Sequence, residues 1–301
     1  MTAVTNTDRF YGLVPKGAQV ERLGTGFTFT EGPVWNHGGK FLLFSDMPGD
    51  VRRRWDAKNG VREVQRPSNK GNGMTYEKSG DLLICEHSTS SVVRLRAGDR
   101  RETVASHFNG KQLNSPNDVV VASDNSIYFS DPTYGRMPVF GVERKQDLSF
   151  QGVYRVQPSG ERLQLLVDDF EQPNGLCFSP DESLLYINDS PRAHIRVFKV
   201  AADGAIGSGS IFFDHIGSGA IEEGIPDGMK CDAQGNVYVT GPGGIWVISP
   251  HAELLGRIDV PENVGNLNWG SDDWKTLFIC ASTSLYRITL HVSGNRLPYM
   301  V

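Results

Sequence analysis

The chain has 301 residues, 39% of them hydrophobic and 22% charged, with a formal net charge of −5, the make-up of a soluble globular protein rather than a disordered one. No basic run exceeds Arg52-Arg53-Arg54, which argues against a nucleic-acid surface, since phosphate binding needs a concentrated positive field. No apolar run is long enough for a membrane-spanning helix, and the opening MTAVTNTDRFYGLVPKG has no apolar signal-peptide core, so a cytoplasmic location is expected.

Along the chain, helical periodicity is scarce and short strand-like runs dominate. QVERLGTGFTFT (Gln19 to Thr30) precedes the first of several similar units. Each unit opens on a short element carrying Asp, Asn or Glu: EGPVW from Glu31, NGMTY from Asn72, PNDVVV from Pro116, PNGLCF from Pro173 and PDGMKC from Pro226. GNLNW from Gly265 is a looser sixth. A polar turn and a second apolar run follow each opening: KFLLFSD, DLLICEH, SIYFSD, SLLYIND, NVYVTG and TLFICAS. Third strands such as VVRLR, GVYRV and IRVFKV come next. From Gly32 through Gly73, Asp118, Gly175 and Gly228 to Asn266 the steps are 41, 45, 57, 53 and 38 residues.

Repeats of three or four strands at this period predict the blades of an all-β, six-bladed β-propeller spanning residues 1–301 as one domain. Residues 1–18 are expected as an N-terminal extension, and Gln19 to Thr30 as the strand that closes the last blade. Residues 136–151 form the largest irregular stretch and are expected as a lid over the channel mouth. Tyr134, Arg136, Glu143 and Arg144 are its candidate substrate contacts, with a solvated loop as the alternative. The four cysteines, Cys85, Cys177, Cys231 and Cys280, are far apart and read as buried thiols in a reducing compartment.

The innermost strand of a blade begins beside the central channel, so each opening aims its polar residue at one axial region. In order these residues are Glu31, Asn72, Asn117, Asn174 and Asp227, with Gly265 or Asn266 in the sixth unit. Any one Asn-Gly or Asp-Gly is most often a turn; four oxygen side chains at one place in four repeats point to a hard-cation site. Glu31 and Asp227 would balance the charge of Ca²⁺, and Asn117 and Asn174 would add neutral carbonyl oxygens. Mn²⁺ and Mg²⁺ rank next, and Zn²⁺ last, because zinc recruits His or Cys.

FTEGPVW, SPNDVV with IYFSDP downstream, QPNGLCFSPDESLLY and PDGMKCDAQGNVYV resemble the SMP-30/gluconolactonase/regucalcin family of six-bladed propellers, over roughly Phe29 to Leu290. The resemblance implies hydrolysis of a small-molecule sugar lactone with a divalent metal at the channel mouth. It implies Glu31, Asn174 and Asp227 as metal ligands, Asn117 as a further ligand or substrate contact, and Asp227 as the general base. One departure is visible: regucalcin-type members place an arginine where this chain has Ser115. A carboxylate on a divalent cation is a poor base, so His87 at the end of DLLICEH is the alternative proton shuttle. Asn72 is a further candidate substrate contact. Hydrolysis of phosphotriesters and a non-catalytic calcium-binding propeller are the competing readings.

Overall fold

The computed structural model describes residues 4–157, 162–218 and 220–296; the first three residues of the predicted extension lie outside them. Six four-stranded antiparallel sheets stand around one axis as the blades of a propeller. The inner strands are Thr30–Asn36, Gly71–Tyr76, Val119–Val121, Pro173–Phe178, Met229–Cys231 and Val264–Gly270, one in each of blades one to six. The second strands follow the predicted runs closely, from Phe41–Asp46 in blade one to Thr276–Ala281 in blade six. They are built from β-branched, aromatic and leucine side chains and are buried almost throughout, as strands covered on both faces must be.

Outer strands such as Gly60–Gln65 and Arg100–Ala105 are largely exposed and rich in Arg and Glu, charges that discourage edge-to-edge pairing. The ring closes as the sequence predicts. Glu21–Thr25 pairs antiparallel with Ser284–Thr289 and becomes the outer strand of blade six.

Ahead of it, a short helix, Asp8–Leu13, is capped by the Thr7 hydroxyl, which accepts from the Phe10 amide at 3.1 Å. Phe10 and Leu13 are buried in the core that links blades five, six and one. All four cysteines are buried free thiols. No helix among the described residues is long and apolar enough to cross a membrane.

The inner strands differ from the sequence expectation at their first residues. The pairing register shifts between Glu31 and Val34, Gly71 and Met74, Pro173 and Leu176, and Val264 and Asn266. In blades three and five the ladder begins only at Val119 and Met229. Such irregularities bend a strand and re-aim a side chain, and each coincides with the polar residue of its opening.

Candidate functional site

Glu31, Asn72, Asn117, Asn174 and Asp227, from the five inner strands or the residues leading into them, line one cavity of about 300 Å³ at the channel mouth. His87 and Tyr134 share it, and its remaining wall is mostly apolar. The paired openings are more than turns. The Gly73 amide donates to Asn117 O at 2.9 Å, and the Gly175 amide to Asp227 O at 3.0 Å. From the second strands, the Ser45 hydroxyl donates to Asn72 O at 2.9 Å and Asn188 Nδ2 to Asp227 O at 2.6 Å. Neighbouring blades therefore grip the main chain of the polar residue and leave its side chain to the cavity.

Glycine follows the polar residue because the next blade approaches too closely for a side chain. A Cβ on Gly32 would lie 2.0 Å from Asn72 O, and one on Gly175 2.2 Å from Asp227 O. Gly175→Ala is accordingly expected to cost about 3 kcal/mol of stability, measured as a lower denaturant midpoint with an unchanged slope.

A second repeated feature supports the openings and escapes a reading confined to them. Asp46 Oδ1 accepts from the Thr28 amide, Asp131 from Asn114 and Ser115, and Asp189 from Glu171 and Gln172. Each aspartate ends a second strand and pins the chain just ahead of Glu31, Asn117 or Asn174. The recurring terminal Asp of FLLFSD, IYFSD and LLYIND is the signal in the sequence.

Glu31 accepts at Oε2 from the Gly32 amide at 2.9 Å and from Asn266 Nδ2 at 3.0 Å. Asn266, the departure in the sixth unit, thus holds a carboxylate in place rather than adding an oxygen to the cavity. Burial, with a smaller contribution from Asp118, raises the Glu31 carboxyl to about 7. Burial, then the charges of Glu31 and Asp118, hold Asp227 well above the usual carboxylate range. Asp118 itself pairs across the axis with Lys230 Nζ at 3.2 Å. With Asp118 paired to Lys230, Glu31 and Asp227 are the two carboxyls at the axis without an ion-pair partner among the described residues.

The donor set fits a hard divalent cation. Asn72 Oδ1 and Asn174 Oδ1 are buried without a hydrogen-bond partner, while Asn174 Nδ2 is turned to Ser190 Oγ at 3.1 Å. Unpaired buried acceptors are costly, and a cation would satisfy them. Among the described residues no three His, Cys, Asp or Glu side chains cluster as metal ligands, so amide oxygens are needed to complete any set, as Ca²⁺ accepts and Zn²⁺ does not favour.

His87 lies in the cavity wall, but both ring nitrogens are engaged: Nε2 lies 3.2 Å from Asn72 Nδ2, and Nδ1 2.9 Å from Phe140 O. A proton on Nδ1 satisfies both contacts, donating to the carbonyl and leaving Nε2 to accept from the amide. Burial lowers the imidazole to about 4, so it is neutral near pH 7 and a weak base. The residue expected as a shuttle is thus committed at both nitrogens and set against Asn72.

Arg136 is not brought together with the others. Its guanidinium is buried against the main chain, donating to the carbonyls of Leu113, Asn114 and Lys145, and it does not line the cavity. Arg144 likewise donates to His87 O and Ser88 O, and Glu143 is exposed. The stretch they belong to brings Phe140 to the cavity instead. Ser115 offers no substitute for an arginine, since its hydroxyl donates to Pro132 O and accepts from the Gly135 amide.

Comparison with known proteins bears on the family and the fold. The SMP-30/Gluconolactonase/LRE-like region matches residues 29–283. A gluconolactonase of Zymomonas mobilis is 32% identical, over 95% of this chain and 85% of its own. A pentonolactonase of Haloferax volcanii is 26% identical, over 83% of this chain and 80% of its own. The solved structure of a gluconolactonase from Xanthomonas campestris superposes with a TM-score of 0.86 at 29% identity, covering 96% of this chain and 94% of that one.

Proposed function

The chain belongs to the SMP-30/gluconolactonase/LRE-like family, and on that premise we propose that it hydrolyses a small sugar-type lactone in the channel-mouth cavity, with a divalent cation, Ca²⁺ first, held by Glu31, Asn117, Asn174 and Asp227. The observation that carries the reading is the meeting of those four side chains, from four blades, in one cavity. The two carboxyls left without an ion-pair partner, Glu31 and Asp227, and the unpaired Asn174 Oδ1 support it.

When bound, the cation supplies Lewis acidity that polarises the lactone carbonyl. The chain's own residues do the rest. Asp227 is partly open to the cavity and takes the proton from the attacking water as that water adds to the carbonyl carbon. The ring C–O bond then breaks, and the released alkoxide recovers the proton from Asp227, giving an open hydroxy acid. Glu31 is held rigid by Gly32 and Asn266, so its carboxylate needs no reorganisation. The Asn117 side chain has no hydrogen bond among the described residues and is available to a ligand or substrate oxygen.

The test is a panel of sugar 1,4- and 1,5-lactones, with a phosphotriester as control, assayed with added Ca²⁺ and with chelator. Lactone turnover that falls at least ~10²-fold on chelation and returns with Ca²⁺ is expected. Turnover indifferent to chelator would remove the cation from the reading, and a preference for the phosphotriester would replace the substrate.

A further inference from the structure

Above its polar floor, the cavity is walled by Phe29, Met47, Phe140, Ile225 and Val264, with the rings of Phe29 and Phe140 edge to face at 5.7 Å. Among the described residues, the amides of Asn117 and Asn263 are free to meet a ligand, and the other polar groups in or beside the cavity are committed. His87 is committed at both nitrogens, Asn174 Nδ2 to Ser190, and Ser115 at its hydroxyl. Tyr134 is engaged with Ser190.

The apolar character continues outward. Five of the seven large hydrophobic residues exposed among the described residues lie in just two loops: Met137, Val139 and Val142 in one, Ile221 and Ile225 in the other. These are the loops that deliver Phe140 and Ile225 to the cavity. Both are tied down. Lys70 Nζ donates to Val139 O at 2.9 Å, and Thr240 Oγ1 to Ile225 O at 3.1 Å. Two tied-down loops that carry exposed apolar residues and each place an apolar side chain, Phe140 or Ile225, in the cavity wall mark a place for apolar ligand surface.

We propose that the lactone taken by this site carries an apolar substituent, an alkyl or deoxygenated tail on the ring, which packs between Phe29, Phe140 and Ile225 while the ring carbonyl faces Glu31 and Asp227. The proposal rests on the lactonase reading and narrows its substrate class. A fully hydroxylated tail would bury hydroxyls against carbon, at a cost unless each is paired, whereas every methylene removed from water favours binding.

The experiment compares δ-lactones bearing methyl, propyl and pentyl tails with glucono-1,5-lactone and its 6-deoxy counterpart, at saturating Ca²⁺. The expected result is a rise in kcat/KM of up to about fourfold per methylene along the alkyl series, and 6-deoxy preferred over 6-hydroxy. Phe140→Ala should flatten that rise, and so should Ile225→Ser, a change at a half-exposed position with little bearing on folding. A flat or falling series, or a tenfold preference for the fully hydroxylated lactone, overturns the proposal. Absence of turnover on any lactone is the failure of the lactonase reading itself. In that event, calorimetric affinities of the ring-opened hydroxy acids decide the collar: tighter binding with longer tails upholds it, and equal affinities overturn it.

Discussion

Replacing Asp227 with Asn is expected to lower kcat at least ~10³-fold while the protein still folds and still takes up Ca²⁺ about tenfold more weakly. The substitution keeps an oxygen for the cation and removes the proton acceptor, so it separates the two roles assigned to one carboxylate. General base catalysis is worth roughly 10²–10⁴-fold, which sets the lower bound. Folding is spared because the neighbouring blades hold position 227 by its main chain. Gly175 and Asn188 donate to its carbonyl, and its amide donates to Thr240 Oγ1 at 2.7 Å. Asp227→Ala should go further, abolishing activity and cation uptake. It should also raise the Tm of the chelated protein, since it removes a buried carboxylate crowded by Glu31 and Asp118. His87→Gln is the control: with the imidazole near 4, the pH profile between about 6 and 8 should keep its shape. A His87 variant that loses an inflection in that range, or an Asp227→Asn protein with near-normal kcat, would reverse the assignment.

The second large effect is on stability, and it links pH to the cation. Glu31 sits at about 7 in the folded chain against 4.5 for a free glutamate, and Asp227 is raised as well. Carboxyls that hold protons more tightly when folded stabilise the native state fully below their unfolded pKa and lose that contribution as pH rises through the folded one. The chelated protein should therefore lose stability as pH climbs from about 5 to about 8. Ca²⁺ competes with those protons, so its stabilisation should grow over the same interval. The Tm gain from saturating Ca²⁺ is expected to be larger by at least ~5 °C at pH 8 than at pH 5.5, read by thermal melts with and without chelator. Asp131, raised to about 7 by burial away from the cavity, supplies a pH dependence that Ca²⁺ leaves untouched. An equal Ca²⁺ increment at both pH values would show that Glu31 and Asp227 do not share the ion.

The sequence carried the ring of site residues because the same oxygen-bearing residue recurs at one place in repeats of similar period. It carried the closing strand for a related reason, as the unpaired run ahead of the first opening needs a partner. Side-chain direction was not legible in that way. Arg136 stands in the loop beside the mouth, yet its guanidinium is drawn inward by three carbonyls, Leu113, Asn114 and Lys145, that the irregular chain leaves without strand partners. His87 falls at the right strand end, but its commitment to Phe140 depends on a carbonyl more than 50 residues away in sequence. Phe140 and Ile225 lie in loops with no periodicity to mark a buried face. Asp118 stands where the four other openings around the cavity have Gly. Its partner Lys230 lies two blades on, a contact only the closed ring creates.

The seam between the chain's two ends has a consequence for the order in which the molecule is made. Glu31 follows the closing strand Glu21–Thr25 by six residues, and Thr30 beside it bonds to Ser282 and Ser284 at the other end of the chain. Asn266 completes its setting. A ribosome therefore releases the first carboxylate early and its lateral supports last, so the emerging polypeptide carries Glu31 unanchored through most of translation. On the cation reading, the ion would be captured only once blade six is complete. Its arrival would then act as a latch on a finished ring rather than as a template for building one.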